Sequence, residues 1–204
     1  MLHRLYGALI IGICIAVVSV GFTVYGTIHA RQMTTRSYDI NVDKQVDGID
    51  SLNVVLVADL HLGYSIGCDD MRKMAERINA LNPDVVIYAG DIFDNDYDAL
   101  DDEAQLKEIL HSINAKYGSY AVFGNHDVTE TLVGGFSTAS SRKAFRDSRM
   151  ESFLDEAGIN IMLDEVTTIA DGKINLIGRL DGEKAGDGTR NRKDLSELIE
   201  QCDM

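Results

Sequence analysis

The sequence SYAVFGNHD, residues 119–127, carries the strongest indication of how this chain folds. Its first five residues are apolar or favour extended structure, which predicts a buried strand of a parallel sheet. Gly124 then permits a tight backbone turn, and an amide, an imidazole and a carboxylate follow directly. Because ligands of open α/β sheets bind at the carboxyl ends of the strands, the stretch predicts a ligand-binding edge at residues 125–127.

Two earlier stretches also place polar residues directly after a predicted strand. The strand at residues 52–58 ends at Asp59-Leu60-His61, and the strand at residues 85–89 leads into Gly90-Asp91-Ile92-Phe93-Asp94. Helical patterns separate the strands, which predicts a parallel α/β arrangement with all three carboxyl ends at one edge. Carboxylate, amide and imidazole groups are the ligands that hard or borderline divalent cations prefer.

The ordered motifs D-x-H, G-D-x-x-D and G-N-H-D resemble those of the calcineurin-like metallophosphoesterases, from about Leu52 to the end of the chain. The resemblance implies an α/β fold, namely a partial α/β/β/α sandwich, here preceded by one transmembrane helix. It implies a hydrolase that acts on phosphomonoesters or phosphodiesters. It also implies two divalent metal ions in the complete site, such as Mn, Fe or Zn.

The resemblance also assigns roles to the ligands of the metal ions. Asp59 and His61 would hold the first metal, Asp91 would bridge both metals, and Asn125 would hold the second. A bridging position suits a carboxylate because each of its two oxygens can face one cation. The amide of Asn125 would add an oxygen ligand without more negative charge near the substrate.

The catalytic roles fall to residues next to these ligands. By the resemblance, His126 faces the leaving-group oxygen, as general acid or as a donor to the transition state. Asp94 is expected to accept a hydrogen bond from the far nitrogen of the His126 ring, fixing the ring and favouring its charged form. Asp127 is expected to be structural and to tie its own turn together.

The sequence departs from the family pattern after the third motif. The family's later motifs, an isolated histidine and a Gly-His-x-His pair, have no counterpart, because His126 is the last of five histidines. The first metal therefore has three candidate ligands and the second has two, so only one ion is expected to be held well. We expect a truncated gene product that is weakly active or inactive. The alternative is a catalytically dead metal-binding or regulatory membrane protein.

The N-terminus predicts a membrane anchor. Residues 5–28 contain no charged side chain, and about 20 apolar residues suffice to cross a bilayer. A cleaved signal peptide is the rival interpretation, but its apolar region usually has only about 7–15 residues. The expected organisation is an anchor at residues 1–30, a connector at 31–50, and a C-terminally incomplete metallophosphoesterase domain at 51–204.

The side of the membrane on which the domain lies is open. Arg4 precedes the apolar run, whereas Arg31, Arg36 and Lys44 follow it, and the positive-inside rule would keep the domain in the cytoplasm. Proteins that resemble this family commonly export their domain behind such an anchor. The expectation is a single-pass protein with an extracytoplasmic domain, although the charge count opposes it.

Charge limits the partners of the domain. The formal net charge is −14, and all 33 acidic residues follow the apolar run. Such a domain is repelled by phosphate backbones, which argues against nucleic acid as a general partner. By similarity to membrane-bound relatives, the expected partner is a phosphate-ester substrate such as a lipid or an envelope precursor.

Periodicity and turn residues predict the remaining elements. Helices are expected at residues 69–81, 101–114, 141–157 and 193–201. Loops are expected at 129–141 and 182–192. An edge strand is expected at 36–42, and three strands that change to antiparallel pairing are expected at 159–163, 166–170 and 174–178, the last two joined by a turn at Asp171-Gly172.

Overall fold

The computed structural model describes seven stretches of the chain, which divides into two compact units at residues 1–42 and 43–204. The described residues are 2–30, 32–64, 66–130, 132–133, 136–137, 145–186 and 192–202.

The first unit contains one long helix, α1 (Leu2–Ala30). Its segment Leu9–His29 has a mean hydropathy of 2.3, is fully exposed, and is long and apolar enough to cross a membrane. The strand predicted at Arg36–Val42 is wrong, because residues 32–42 have no regular secondary structure. Alternation of apolar and polar residues produces a strand only where a neighbouring strand supplies hydrogen bonds.

The second unit is built on a four-stranded parallel sheet, with strands in the order β1, β2, β3, β6. Every neighbouring pair is parallel, which confirms the predicted α/β class. The strands are β1 (Val54–Val57), β2 (Val85–Ala89), β3 (Ser119–Val122) and β6 (Ile159–Ile161). The first three are rich in β-branched or aromatic residues, which pack well on a pleated surface.

Helices follow the strands, and side-chain carboxylates cap two of them. Asp102 and Asp147 accept hydrogen bonds from the backbone at the starts of α3 and α4, as residues of this type commonly do. The helix expected to start at Asp69 begins one residue earlier, at Cys68, after Gly67 and without a side-chain cap. The helices of this unit are α2 (Cys68–Ala80), α3 (Glu103–His111), α4 (Ser148–Glu156) and α5 (Leu195–Ile199), with a 3₁₀ turn at Tyr97–Ala99.

The helix predicted at residues 141–157 starts later than expected. Phe145 is not helical, because it forms an isolated antiparallel bridge with Thr129. Asp147 has an extended backbone and its carboxylate accepts a hydrogen bond from Arg149 N, so the helix begins at Ser148. The predicted start at residues 141–144 lies outside the described residues.

Two hairpins complete the described part of the second unit. The hairpin of β7 (Glu165–Ile169) and β8 (Ile174–Gly178) confirms the predicted antiparallel pair. The other hairpin, β4 (Leu132–Val133) with β5 (Phe136–Ser137), lies where a loop was expected. β6 was expected among the antiparallel strands, but it pairs parallel to β3 in the first sheet.

Buried apolar side chains form the core of this unit. Val85 of β2 is buried with Ile169 and Ala170 of the β7–β8 hairpin. The helices contribute the larger set, and burial of each of its leucine, isoleucine, methionine and phenylalanine side chains is worth about 1.5–3 kcal/mol. This set comprises Met71, Met74, Ala75, Ile78, Leu106, Ile109, Leu110, Met150, Phe153 and Leu154.

Candidate metal centre

Three loops follow strands β1, β2 and β3 at the carboxyl edge of the sheet: the first loop (58–64), the second loop (90–96) and the third loop (123–130). The first and second loops lie side by side, joined by backbone hydrogen bonds. Asp59 N donates to Gly90 O at 3.2 Å, and His61 N donates to Asp91 O at 3.0 Å. These hydrogen bonds bring the D-x-H and G-D-x-x-D motifs together.

Asp127 joins the third loop to the second. Its side chain is fully buried. One carboxylate oxygen accepts a hydrogen bond from Gly124 N at 2.7 Å, and the other accepts one from Phe93 N at 2.7 Å. The expectation that Asp127 ties its own turn is confirmed, and the same carboxylate also fixes the second loop. Burial raises the pKa of Asp127 to about 6.

The second and third loops approach each other through two glycines. A Cβ atom on Gly124 would overlap the Asp91 carboxylate and lie 2.7 Å from Asp91 N. A Cβ atom on Gly90 would lie 2.9 Å from Gly124 Cα. Such distances leave no room for a side chain, so both motif glycines are needed for this approach.

Asp59, His61 and Asp91 form a cluster of candidate metal ligands. One ligand atom from each lies within 4.8 Å of the others. Two carboxylates and an imidazole fit the preferences of a divalent cation of the Mn, Fe or Zn type. Asn125 follows Gly124 in the third loop and is half-buried, while His126 N donates to Asp91 Oδ1 at 2.9 Å.

Asp94 and His126 lie in an adjoining cluster with His61, again with ligand atoms within 4.8 Å. The rings of His61 and His126 meet edge to face, with centroids 5.0 Å apart. The hydrogen bond expected between Asp94 and His126 differs from the one observed. Asp94 Oδ1 lies 3.3 Å from His61 Nδ1, whereas His126 Nδ1 lies 2.6 Å from Asn95 Oδ1.

Asn95 is the site residue that the sequence reasoning missed. It turns through a left-handed conformation with φ of 59°, and its amide oxygen, instead of the Asp94 carboxylate, lies within hydrogen-bonding distance of the His126 ring. The available signal was its position directly after the G-D-x-x-D motif, which by itself indicates only a turn.

Four residues of these loops have a left-handed backbone. Asp59, His61 and Asp91 have φ of 56°, 46° and 51°, and Asn95 shares this region. Residues other than glycine rarely adopt such conformations, which cost about 1–3 kcal/mol each and recur at functional sites. The loops therefore present their ligands in conformations that the surrounding structure has to enforce.

Carboxylates and imidazoles at the carboxyl edge of a parallel sheet define an α/β protein with a candidate divalent-metal site. The family model described as calcineurin-like phosphoesterase matches residues 52–197. The chain belongs to this family, which confirms the resemblance inferred from the three motifs.

Several relatives share part of this region. A transmembrane protein with a metallophosphoesterase domain from Danio rerio is 31% identical over 156 residues, covering 71% of this chain and 35% of the relative. The metallophosphoesterase YkuE of Bacillus subtilis (strain 168) is 28% identical, covering 68% and 46%. UDP-2,3-diacylglucosamine pyrophosphatase LpxG of Chlamydia trachomatis is 30% identical, covering 50% and 31%. The chain thus spans less than half the length of these relatives.

Proposed function

We propose that this chain is a membrane-anchored, metal-dependent hydrolase of phosphate esters. The observation that carries the proposal is the cluster of Asp59, His61 and Asp91 at the carboxyl edge of the sheet, within the region that matches the family. Membership of the family supports the reaction class, and the ligand chemistry of the cluster supports the need for metal.

In this proposal, Asp59 and His61 hold a first divalent ion, Asp91 is shared between two ions, and Asn125 contributes to the second. The ions, when bound, neutralise charge on the phosphoryl oxygens and lower the pKa of a water molecule. The hydrogen bond from His126 N to Asp91 Oδ1 restricts the rotation of the shared carboxylate. The carboxylate, amide and imidazole ligands suit Mn, Fe, Zn or similar ions.

His126 is the residue proposed to donate a proton to the leaving group, with Asp94 as a neighbouring carboxylate. Asp94 contacts His61 and is only partly exposed, so its negative charge lies close to both rings. The proton needed by the departing alkoxide would come from the His126 ring.

The proposed substrate is a phosphomonoester or phosphodiester at a membrane, such as a lipid or an envelope precursor. Two features support this choice: the apolar segment Leu9–His29 and the similarity to LpxG, a relative named for a diacylglucosamine substrate. We propose a single-pass anchor with the domain on the extracytoplasmic side. The net charge of −14 repels nucleic acid. It favours smaller substrates whose phosphate group would be bound by the metal ions.

The ligand count favours weak activity for the chain of 204 residues. It offers three candidate ligands to the first metal and two to the second, and no histidine follows His126. A metal that is held loosely stabilises the transition state poorly. The same observation supports a second candidate function, a catalytically dead protein that binds one metal and acts as a binding or regulatory component.

Hydrolysis of bis(p-nitrophenyl) phosphate and p-nitrophenyl phosphate by the full chain in detergent, with Mn²⁺, tests the proposal. We expect slow hydrolysis that EDTA abolishes and that Asp91→Asn reduces to the uncatalysed rate. Exposed Asp155, which lies in α4, supplies the matched control Asp155→Asn, which should retain the rate. Metal binding without any EDTA-sensitive hydrolysis would reject the enzyme in favour of the second candidate.

A further inference from the structure

Asn95 uses every one of its polar groups to bind the third loop. Its backbone N–H donates to His126 O at 3.1 Å, and its backbone carbonyl accepts from Glu130 N at 3.2 Å. Its side-chain Nδ2 donates to Val128 O at 3.3 Å, and its Oδ1 lies 2.6 Å from His126 Nδ1. The residue is 1% exposed, so no water competes for these contacts.

The orientation of the Asn95 amide determines which partner donates. Because Nδ2 is the amide's donor and it faces the carbonyl of Val128, the atom beside the His126 ring is the carbonyl oxygen. That oxygen can only accept a hydrogen bond, so Nδ1 of His126 must carry a hydrogen. In a neutral ring, the lone pair then belongs to Nε2.

Asp94 is less well placed for this role. Its carboxylate lies 3.3 Å from His61 Nδ1, and its side chain is 27% exposed. Its observed hydrogen-bond partner is a candidate metal ligand, whereas Asn95 contacts the ring proposed to face the leaving group. A buried amide with all of its groups bonded also holds its geometry more firmly than a partly exposed carboxylate.

We propose that Asn95 is the positioning residue of His126. It holds the ring in the Nδ1–H form and leaves Nε2 as the nitrogen that exchanges a proton with the leaving group. The part of this inference that concerns the leaving group rests on the proposed function. The hydrogen bond and the form of the ring do not depend on it.

The form of the ring is measured directly by nuclear magnetic resonance. The full chain is labelled with ¹⁵N in its histidine rings and studied in detergent micelles with EDTA, at a mildly alkaline pH where imidazoles are neutral. His126→Gln identifies the His126 signals by their loss. We expect Nδ1 to resonate in the range of protonated ring nitrogens and Nε2 in the range of unprotonated ones.

Three variants distinguish the effect of Asn95 on the His126 ring from the effect of Asp94. Asn95→Gly removes the amide while suiting the left-handed backbone, and it should shift His126 toward the Nε2–H form that free histidine prefers. Asn95→Asp retains an acceptor and should keep the Nδ1–H form. Asp94→Asn removes the neighbouring charge and should leave the form of the ring unchanged.

Two results would overturn the inference. One is an Nε2–H form of His126 in the unmodified chain, which decides the matter even if Asn95→Gly does not fold. The other is that the form of the His126 ring changes in Asp94→Asn and does not change in Asn95→Gly. That result would show that Asp94 positions the ring.

Kinetics then test the catalytic consequence. In Asn95→Gly we expect kcat for phenyl phosphate to fall by about a hundredfold with little change in KM, within the range of general acid catalysis. The loss should be smaller for p-nitrophenyl phosphate, whose leaving group needs less protonation, and Asn95→Asp should restore part of the rate. Equal losses for both substrates would contradict the leaving-group role.

If the chain hydrolyses no substrate but His126 has the Nδ1–H form, the proposed function and the catalytic role of Asn95 are rejected, and the positioning hydrogen bond is retained. If the chain is active but His126 has the Nε2–H form, only the role of Asn95 is rejected.

Discussion

At the scale of single residues, the metal centre depends on two positions that have no side chain. Gly90 and Gly124 allow the second and third loops to approach so closely that Asp91 lies against the backbone of Gly124. Asp91, the proposed shared ligand, and the loop that carries Asn125 are thereby placed next to each other. In the proposed arrangement, the motif glycines thus contribute to metal binding without contacting the metal.

Gly124→Ala should weaken metal binding and destabilise the fold. The added Cβ would overlap the Asp91 carboxylate, and relief of such overpacking typically costs about 1–3 kcal/mol. Displacing a ligand through its surroundings usually lowers metal affinity about 10–100-fold. Calorimetric titration with Mn²⁺ and urea unfolding measure the two effects.

Gly172→Ala is the control for this prediction. Gly172 has φ of 81° with no atom near its added Cβ, so the cost of about 1 kcal/mol comes from the backbone alone. It should lower stability without changing Mn²⁺ affinity. Unchanged affinity in Gly124→Ala would show that Asp91 does not need this close approach.

The sequence predicted which candidate ligands come together better than it predicted the hydrogen bonds among the site residues. Asp59, His61 and Asp91 come together as expected because the carboxyl ends of parallel strands all lie at the same edge of the sheet. The partner of His126 could not be predicted, because it depends on the left-handed turn at Asn95. A G-D-x-x-D motif does not specify the conformation of the residue that follows it.

At the scale of secondary structure, α1 is predicted to anchor the chain. Its segment Leu9–His29 is apolar and fully exposed, and a surface of this kind is stable in lipid and not in water. After extraction with alkaline carbonate, we expect the full chain in the membrane pellet. A chain that begins at Arg31 should be in the supernatant.

The mass of the pelleted protein provides the control. Recovery of the uncut chain in the supernatant would contradict the anchor. A pelleted chain shortened at its N-terminus would show that part of the segment is removed as a signal peptide.

Elements with a strong apolar period were predicted, and those that depend on a distant partner were not. The spacing of Met71, Met74 and Ile78 is enough to define α2, since these side chains share one buried face. The pairing of β6 with β3 could not be read from its sequence, because a short apolar run fits either sheet. The start of α4 depended on the bridge between Phe145 and Thr129, which are distant in sequence.

At the scale of the whole molecule, the ligand count predicts unequal metal sites. In the proposed arrangement, Asp59, His61 and Asp91 serve one ion, whereas Asp91 and Asn125 serve the other. Calorimetry with Mn²⁺ should therefore show weak binding with a stoichiometry near one. Asp91→Ala should abolish it, because this carboxylate belongs to both sites.

The high acidity of the chain calls for a control, since a net charge of −14 attracts cations without any specific site. Asp155→Ala removes the same charge from an exposed helical position and should leave binding unchanged. Two tight sites, or equal effects of the two substitutions, would contradict the prediction.

The left-handed backbones of Asp59, His61, Asp91 and Asn95 set stability and function against each other. At about 1–3 kcal/mol each, their combined cost is comparable with the net stability of a typical domain, about 5–15 kcal/mol. A selection for thermal resistance alone would favour glycine at Asp59, His61 and Asp91, and each such gain would remove a candidate metal ligand. Consensus or directed-evolution libraries built on this chain should therefore hold these four positions fixed and seek stability elsewhere.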